Sequence, residues 1–221
     1  NSLGDGQFIL MDNKAGPVAL LILFITLYIG LQPFILARPH TLAWPFLAGW
    51  SALLLHYRDR KQVPPLWLAL VMFVWANIHG SYFAGFIVAA ALALDAVIAA
   101  QWDRKIIARW FLFGVVSLAA TLVNANGLAG FLHPISISSM ETLPVIGEWQ
   151  PSSPRATPVF FLALLAVVGA LLWKRPKFQL GELLLLLVTL AMAFQHMRHQ
   201  SVFLILAALI VTPKLSRRAE L

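Results

Sequence analysis

Long apolar stretches alternate with short polar connections along most of the chain. The stretches are continuous rather than alternating residue by residue, which is typical of membrane-spanning helices and not of barrel strands. A bilayer core about 30 Å thick needs about 20 apolar residues per helix. The pattern therefore predicts an all-α, polytopic transmembrane protein with about eight spans, at residues 17–37, 41–57, 63–79, 82–101, 106–123, 158–173, 179–195 and 201–213.

Basic residues are concentrated in every second connection. The first segment and the even-numbered connections hold thirteen of the sixteen Lys and Arg residues, and the odd-numbered connections hold only Arg38, Arg155 and Arg198. Because cytoplasmic loops carry such an excess, both termini are predicted to be cytoplasmic. We expect a multi-pass protein of the bacterial inner (plasma) membrane. It would have a cytoplasmic segment at 1–16, one transmembrane domain at 17–213 and a basic cytoplasmic tail at 214–221.

The composition supports a membrane protein and excludes an ordinary soluble domain. Hydrophobic residues make up 60% of the chain and charged residues 11%, against about 25% charged residues in soluble domains. A soluble domain of this size has too little interior to bury that much apolar surface. The absence of cysteine excludes disulfides, thiolate metal sites and a cysteine nucleophile. We interpret the net charge of +7 as topogenic, and expect membrane lipids rather than nucleic acid as partners.

The other polar residues are divided unequally between the two sides. Five of the six histidines fall on the side predicted to lie outside the cytoplasm, in connections or at the end of a span. Polar groups at a membrane boundary are costly to desolvate, so they are usually paired or functional. The candidate substrate-binding residues on this side are Arg38, His40, Asn77, His79, Trp149 and Arg198, and Glu148 is the weak candidate for catalysis.

Each of these residue types allows a chemical role and a purely structural one. The guanidinium groups of Arg38 and Arg198 match phosphate oxygens, but an interfacial arginine also extends to the bilayer surface without a ligand. Asn77 supplies hydrogen bonds and His79 can transfer protons near neutral pH, or both simply cap a helix end.

The longest connection, residues 124–157, is predicted to lie outside. Its apolar part, 127–137, is predicted to form a short interfacial helix. Further along, Glu148 is suited to act as a general base or metal ligand, or lies solvated at the surface. Trp149 is suited to stack on a sugar ring or to anchor the connection.

A divalent metal ion is a further possibility, although the residues assign no metal site. His196 and His199 are three positions apart and can share a helix face. Zinc would need a third ligand, for which His40 and His79 are candidates.

Two acids, Asp95 and Glu182, lie inside predicted spans near their cytoplasmic ends. We expect an interfacial pairing with arginines of the cytoplasmic loops. The alternative is a transporter in which Asp95 couples to protons or ions.

Several short motifs point to a family. They are Arg38-Pro39-His40, Trp75-Ala76-Asn77-Ile78-His79-Gly80, Asn124-Ala125-Asn126-Gly127 and Glu148-Trp149-Gln150-Pro151, followed by a late arginine, Arg198. In this order they resemble the later, C-terminal part of bacterial polytopic membrane proteins related to C-type glycosyltransferases, which use polyprenyl-phosphate-linked sugars. The resemblance covers about residues 38–213.

The resemblance implies an active site on the outer face and a lipid-phosphate-linked sugar as donor. Members of that class usually carry a catalytic acid in the first outer loop, whereas the first outer junction here, Arg38-Pro39-His40, has no Asp or Glu. Two hypotheses follow. The chain is a glycosyltransferase or one part of it, or it is a non-catalytic accessory subunit of a larger membrane complex. Because it begins at Asn1 rather than Met, a fragment and a processed product both remain open.

Overall fold

The computed structural model describes residues 28, 31, 39–138, 140 and 145–216, and within them the chain forms helices and no β-strand. The predicted all-α class is therefore confirmed for this part. It contains eight α-helices: α1 (Pro39–Asp59), α2 (Ala69–Ile78), α3 (Phe83–Ala99), α4 (Arg104–Leu122), α5 (Gly127–Ser138), α6 (Pro158–Lys174), α7 (Leu180–Gln195) and α8 (Gln200–Ser216). Short 3-10 turns include Leu66–Leu68, Gly80–Tyr82, Gly147–Trp149 and Met197–His199.

Seven of these helices coincide with the second to eighth predicted spans, whereas α5 lies in the long connection. The first predicted span, 17–37, lies outside the described residues except for positions 28 and 31. Two helices of the described part, Gly80–Ala99 with 20 residues and Arg104–Leu122 with 19, are long and apolar enough to cross a membrane. The apolar helices Leu66–Ile78, α6 and α7 are shorter. Membrane association thus has support, and the eight-span topology stays a prediction.

Local sequence explains where some helices begin and end. The Asp103 carboxylate accepts a hydrogen bond from the Lys105 N–H at 2.7 Å and caps the start of α4. Gln179 and Glu182 form a capping box at the start of α7. The helix α8 continues two residues beyond Lys214, and the basic cytoplasmic tail at 214–221 stays a prediction.

Aromatic side chains form much of the core between α1, α2, α3 and α4. Trp50 is fully buried and stacks on Phe113, with ring centroids 5.5 Å apart. Its indole Nε1 donates a hydrogen bond to the Gly85 carbonyl at 2.9 Å. A Cβ on Gly85 would lie 2.9 Å from the Met72 sulfur, so glycine leaves room for the side chains of Met72 and Trp75.

Four helices meet in a buried ionic network at the end of the bundle that carries the basic connections. Arg58 of α1 contacts Asp95 of α3 at 3.1 Å and Glu182 of α7 at 2.9 Å. Lys214 of α8 contacts the other oxygen of Glu182 at 2.9 Å, and the Gly181 N–H donates to Asp95 at 2.6 Å. The predicted pairing of both acids with an arginine is confirmed. The pairing is buried within the protein, since the Arg58 side chain in the last turn of α1 is only 5% exposed, and its interfacial position in a membrane stays a prediction.

Candidate functional site

A cavity of about 650 Å³ lies at the opposite end of the bundle. Its wall combines residues from α1, the end of α2, the start of α3, α5 and the connection between α7 and α8. The helices contribute apolar side chains such as Leu47, Phe83, Ile87 and Val202, while the connections contribute polar ones. The cavity therefore suits a ligand with both an apolar and a polar part.

Arg198 is the one permanent cation among the described residues that line the cavity, and it lies on the turn between α7 and α8. Its guanidinium carbon is 4.4 Å from the centroid of the Trp149 ring, a cation–π contact. Burial lowers the pKa of Arg198, and the nearby Glu148 carboxylate opposes that shift. Because guanidinium groups stay protonated in proteins, the cavity wall holds a partly desolvated positive charge.

Two histidines flank the same indole. The rings of His196 and His199 lie 5.2 and 6.4 Å from the Trp149 ring, centroid to centroid. The Nδ1 of His196 bonds to the Trp149 carbonyl at 2.7 Å, and the Nδ1 of His199 to the Met192 carbonyl at 3.3 Å. Burial, reinforced by the charge of Arg198, lowers the pKa of His199 to about 4. His199 is therefore neutral at physiological pH.

Backbone hydrogen bonds join the segment 147–157 to the end of α7 and to the connection between α7 and α8. The Ser152 N–H donates to the Phe194 carbonyl at 2.9 Å, and the Met197 N–H donates to the Gln150 carbonyl at 3.0 Å. The buried Gln200 side chain adds a bond from Nε2 to the Ser152 hydroxyl at 2.7 Å. These bonds fix two separate parts of the cavity wall relative to each other.

Four of the seven residues singled out in the sequence line this one cavity: His79, Glu148, Trp149 and Arg198. Both roles open to Trp149, stacking on a sugar and anchoring the connection, stay predictions. The guanidinium of Arg198 lies over its ring, so that face is not available for stacking on a sugar.

The other three candidates are placed differently. Asn77 lines a neighbouring pocket of about 450 Å³ rather than the cavity. Its Nδ2 donates to the Phe73 and Val123 carbonyls, at 2.8 and 3.0 Å, and so ties α2 to the end of α4. Arg38 lies outside the described residues, and only the backbone of His40, in the first turn of α1, belongs to the described part.

His133 lines both the cavity and the neighbouring pocket, although it was not among the candidate site residues. It lies on α5, the helix predicted in the long outer connection. The signal that could have found it is a single histidine in an otherwise apolar helix next to the other polar connections. His196, considered as a metal ligand, also lines the cavity.

The positions of the histidines can be compared with the hypothesised metal site. Among the described residues, no group of three or more His, Asp or Glu side chains is placed to hold one. The His196 and His199 rings are 5.6 Å apart, and each uses Nδ1 in a bond to a backbone carbonyl. A divalent metal with His40 or His79 as a third ligand stays a prediction.

Comparison of the chain with known protein families, with curated proteins and with solved structures found no match. The chemistry of the cavity is therefore the basis for inferring a function.

Proposed function

We propose that the chain is a multi-pass inner-membrane protein with about eight spans and both termini in the cytoplasm. Its outer cavity would bind the phosphate of a polyprenyl-phosphate-linked sugar, and the chain would act as all or part of a C-type glycosyltransferase-like enzyme. The observation that carries the proposal is the partly buried Arg198 guanidinium in a cavity whose remaining wall is largely apolar.

The two kinds of wall match the two ends of such a lipid. A guanidinium fork pairs with phosphate oxygens, and this pairing strengthens away from water. Stacking on Trp149 fixes the position of the Arg198 guanidinium. The apolar side chains can contact the first prenyl units, while His79 supplies a polar group beside them. Arg38 and His40 are proposed to add further contacts to the phosphate and the sugar.

The transfer breaks the bond between the anomeric carbon and the phosphate oxygen and forms a bond to an acceptor hydroxyl oxygen. The lipid phosphate leaves with the bonding electron pair, and the acceptor proton passes to a base. Glu148 lines the cavity and is proposed to orient the acceptor or to take this proton.

The test measures lipid binding to the purified chain in nanodiscs by native mass spectrometry. Polyprenyl phosphate should bind, the uncharged polyprenol should bind more weakly, and Arg198→Ala should lower affinity for the phosphate about ten- to hundred-fold. Arg155→Ala is the matched control, because Arg155 is an exposed arginine outside the cavity. Equal losses in the two variants, or equal binding of phosphate and alcohol, would refute the proposal.

A non-catalytic accessory subunit is the second candidate. Glu148 is the one carboxylate that lines the cavity within the described residues, and its charge already opposes that of Arg198. In this case the cavity would hold a lipid within a larger membrane complex. Stable co-purification with other subunits favours this function, whereas glycosyl transfer by the isolated chain excludes it.

A further inference from the structure

A second pocket adjoins the cavity at the same end of the bundle. It has a volume of about 450 Å³ and lies between the end of α2, the turn Gly80–Tyr82, the 124–126 turn and the start of α5. Ile78, His79, Gly80 and His133 line both spaces. The cavity and the pocket therefore adjoin each other along these residues.

Side-chain hydrogen bonds hold the turn beside this pocket in one conformation. The Asn124 amide donates to the Thr121 and Gly127 carbonyls at 3.0 and 3.2 Å, and its oxygen accepts from the Asn126 N–H at 2.8 Å. A Cβ on Gly130 would clash with that oxygen, so glycine makes room for it. The polar lining is therefore preorganised, which lowers the entropy cost of binding.

The chemistry of this lining differs from that of the cavity. It consists of the side-chain amides of Asn77, Asn124 and Asn126, the imidazoles of His79 and His133, and the Tyr82 hydroxyl, with Ala and Gly leaving space between them. No Lys, Arg, Asp or Glu is among the described residues that line it. The amide N–H groups of Asn77 and Asn124 and the Tyr82 hydroxyl already donate to backbone carbonyls. The lining therefore offers mainly uncharged hydrogen-bond acceptors, which suit the donating hydroxyl groups of a ligand rather than an anion.

We propose that this pocket binds a carbohydrate group next to the lipid phosphate in the cavity. This inference rests on the proposed function, because the phosphate site gives the carbohydrate its neighbour. The carbohydrate is the sugar of the donor lipid or that of the acceptor, since both present the same hydroxyl chemistry. His79 and His133 lie at the boundary and contact both parts of the bound ligand.

The experiment compares three probes on the full chain in nanodiscs: polyprenyl phosphate, a polyprenyl-phosphate hexose and a methyl hexoside. Asn126→Ala removes an exposed amide, and Ala129→Phe fills the pocket; neither residue lines the cavity. The matched controls are Gln62→Ala and Ala99→Phe, at exposed positions near the basic end. Lipid affinities are measured by native mass spectrometry, and hexoside binding by saturation-transfer NMR.

For a donor sugar, the hexose lipid should bind about ten-fold more tightly than the bare phosphate, and both pocket variants should abolish this preference while the controls keep it. For an acceptor sugar, the two lipids should bind equally, and the hexoside should bind the wild type but not Ala129→Phe. The inference is wrong if the wild type neither prefers the hexose lipid nor binds the hexoside. It is also wrong if carbohydrate binding persists in both pocket variants. Failure of the bare phosphate to bind contradicts the proposed function alone, since hexoside binding lost in Ala129→Phe would still support the pocket.

Discussion

Replacing Arg58 by alanine tests how the basic end of the bundle is held together. Arg58 supplies a hydrogen bond to Asp95 at 3.1 Å and another to Glu182 at 2.9 Å. These two carboxylates are only 1% and 2% exposed. After the substitution, Glu182 keeps its contact with Lys214, but Asp95 keeps only neutral partners such as the Gly181 N–H.

The expected decrease in the free energy of unfolding follows from this loss of charge balance. Two buried carboxylates are opposed by Arg58 and Lys214, so Arg58→Ala leaves one negative charge uncompensated. Removing one partner of a buried ion pair typically costs about 3–5 kcal/mol. For a chain of this size, that corresponds to a fall in Tm of roughly 6–20 °C. Adding Asp95→Asn to Arg58→Ala removes the uncompensated charge and should recover part of the loss.

The measurement is thermal unfolding in a mild nonionic detergent, followed by tryptophan fluorescence and circular dichroism. Arg60→Ala is the control, because Arg60 is exposed and two positions away. Arg60→Ala should change the free energy of unfolding by no more than about 0.5 kcal/mol. The reasoning is refuted if Arg58→Ala lowers the Tm no more than Arg60→Ala does, or if the double variant is less stable than Arg58→Ala.

Two further predictions concern packing and pH. Gly181→Ala places a Cβ that would clash with the Ala91 carbonyl oxygen, so α3 and α7 must separate and the Tm should fall sharply. Gly169→Ala has open space and should be neutral or slightly stabilising, and similar melting of the two variants would contradict this account. For His199, the pKa of about 4 in the folded protein lies below the usual unfolded value of about 6.5, so the unfolded chain binds the proton first as the pH falls. Stability should be constant above about pH 6.5 and decrease by up to roughly 3 kcal/mol towards pH 4. The corresponding His199→Gln variant should lose this dependence in melting curves, and a wild-type Tm that does not change between pH 7 and pH 5 would contradict it.

Features that depend on one segment of chain at a time were predictable from the sequence. Continuous apolar stretches predicted the helices, and apolar positions 127–137 predicted α5, because helix formation depends mainly on the local composition and pattern. The division of polar residues between connections also placed His79, Glu148 and Arg198 on one side, and they line one cavity.

Features that depend on packing between distant segments were not predictable in the same way. The sequence indicated that Asp95 pairs with an arginine, but several arginines were available and only the packing of α1 against α3 selects Arg58. Likewise, Trp149 was assigned to the site without any indication that Arg198, 49 positions away, lies over its ring. Asn77 lies at the end of the correct helix, yet its amide is used to bind the Val123 carbonyl.

The hydrogen bonds between the segment 147–157 and the α7–α8 connection have a consequence for biosynthesis. The Gln150 carbonyl can form its hydrogen bond only after Met197 has been synthesised, and the Ser152 N–H only after Phe194. Both bonds therefore join residues more than 40 positions apart in the chain. Contacts of such sequence separation form late, after the intervening helices have been synthesised. The part of the wall made by α1, α2, α3 and α5 is available much earlier. The cavity is therefore incomplete at first, and its wall is closed only after residues 194–202 have been synthesised.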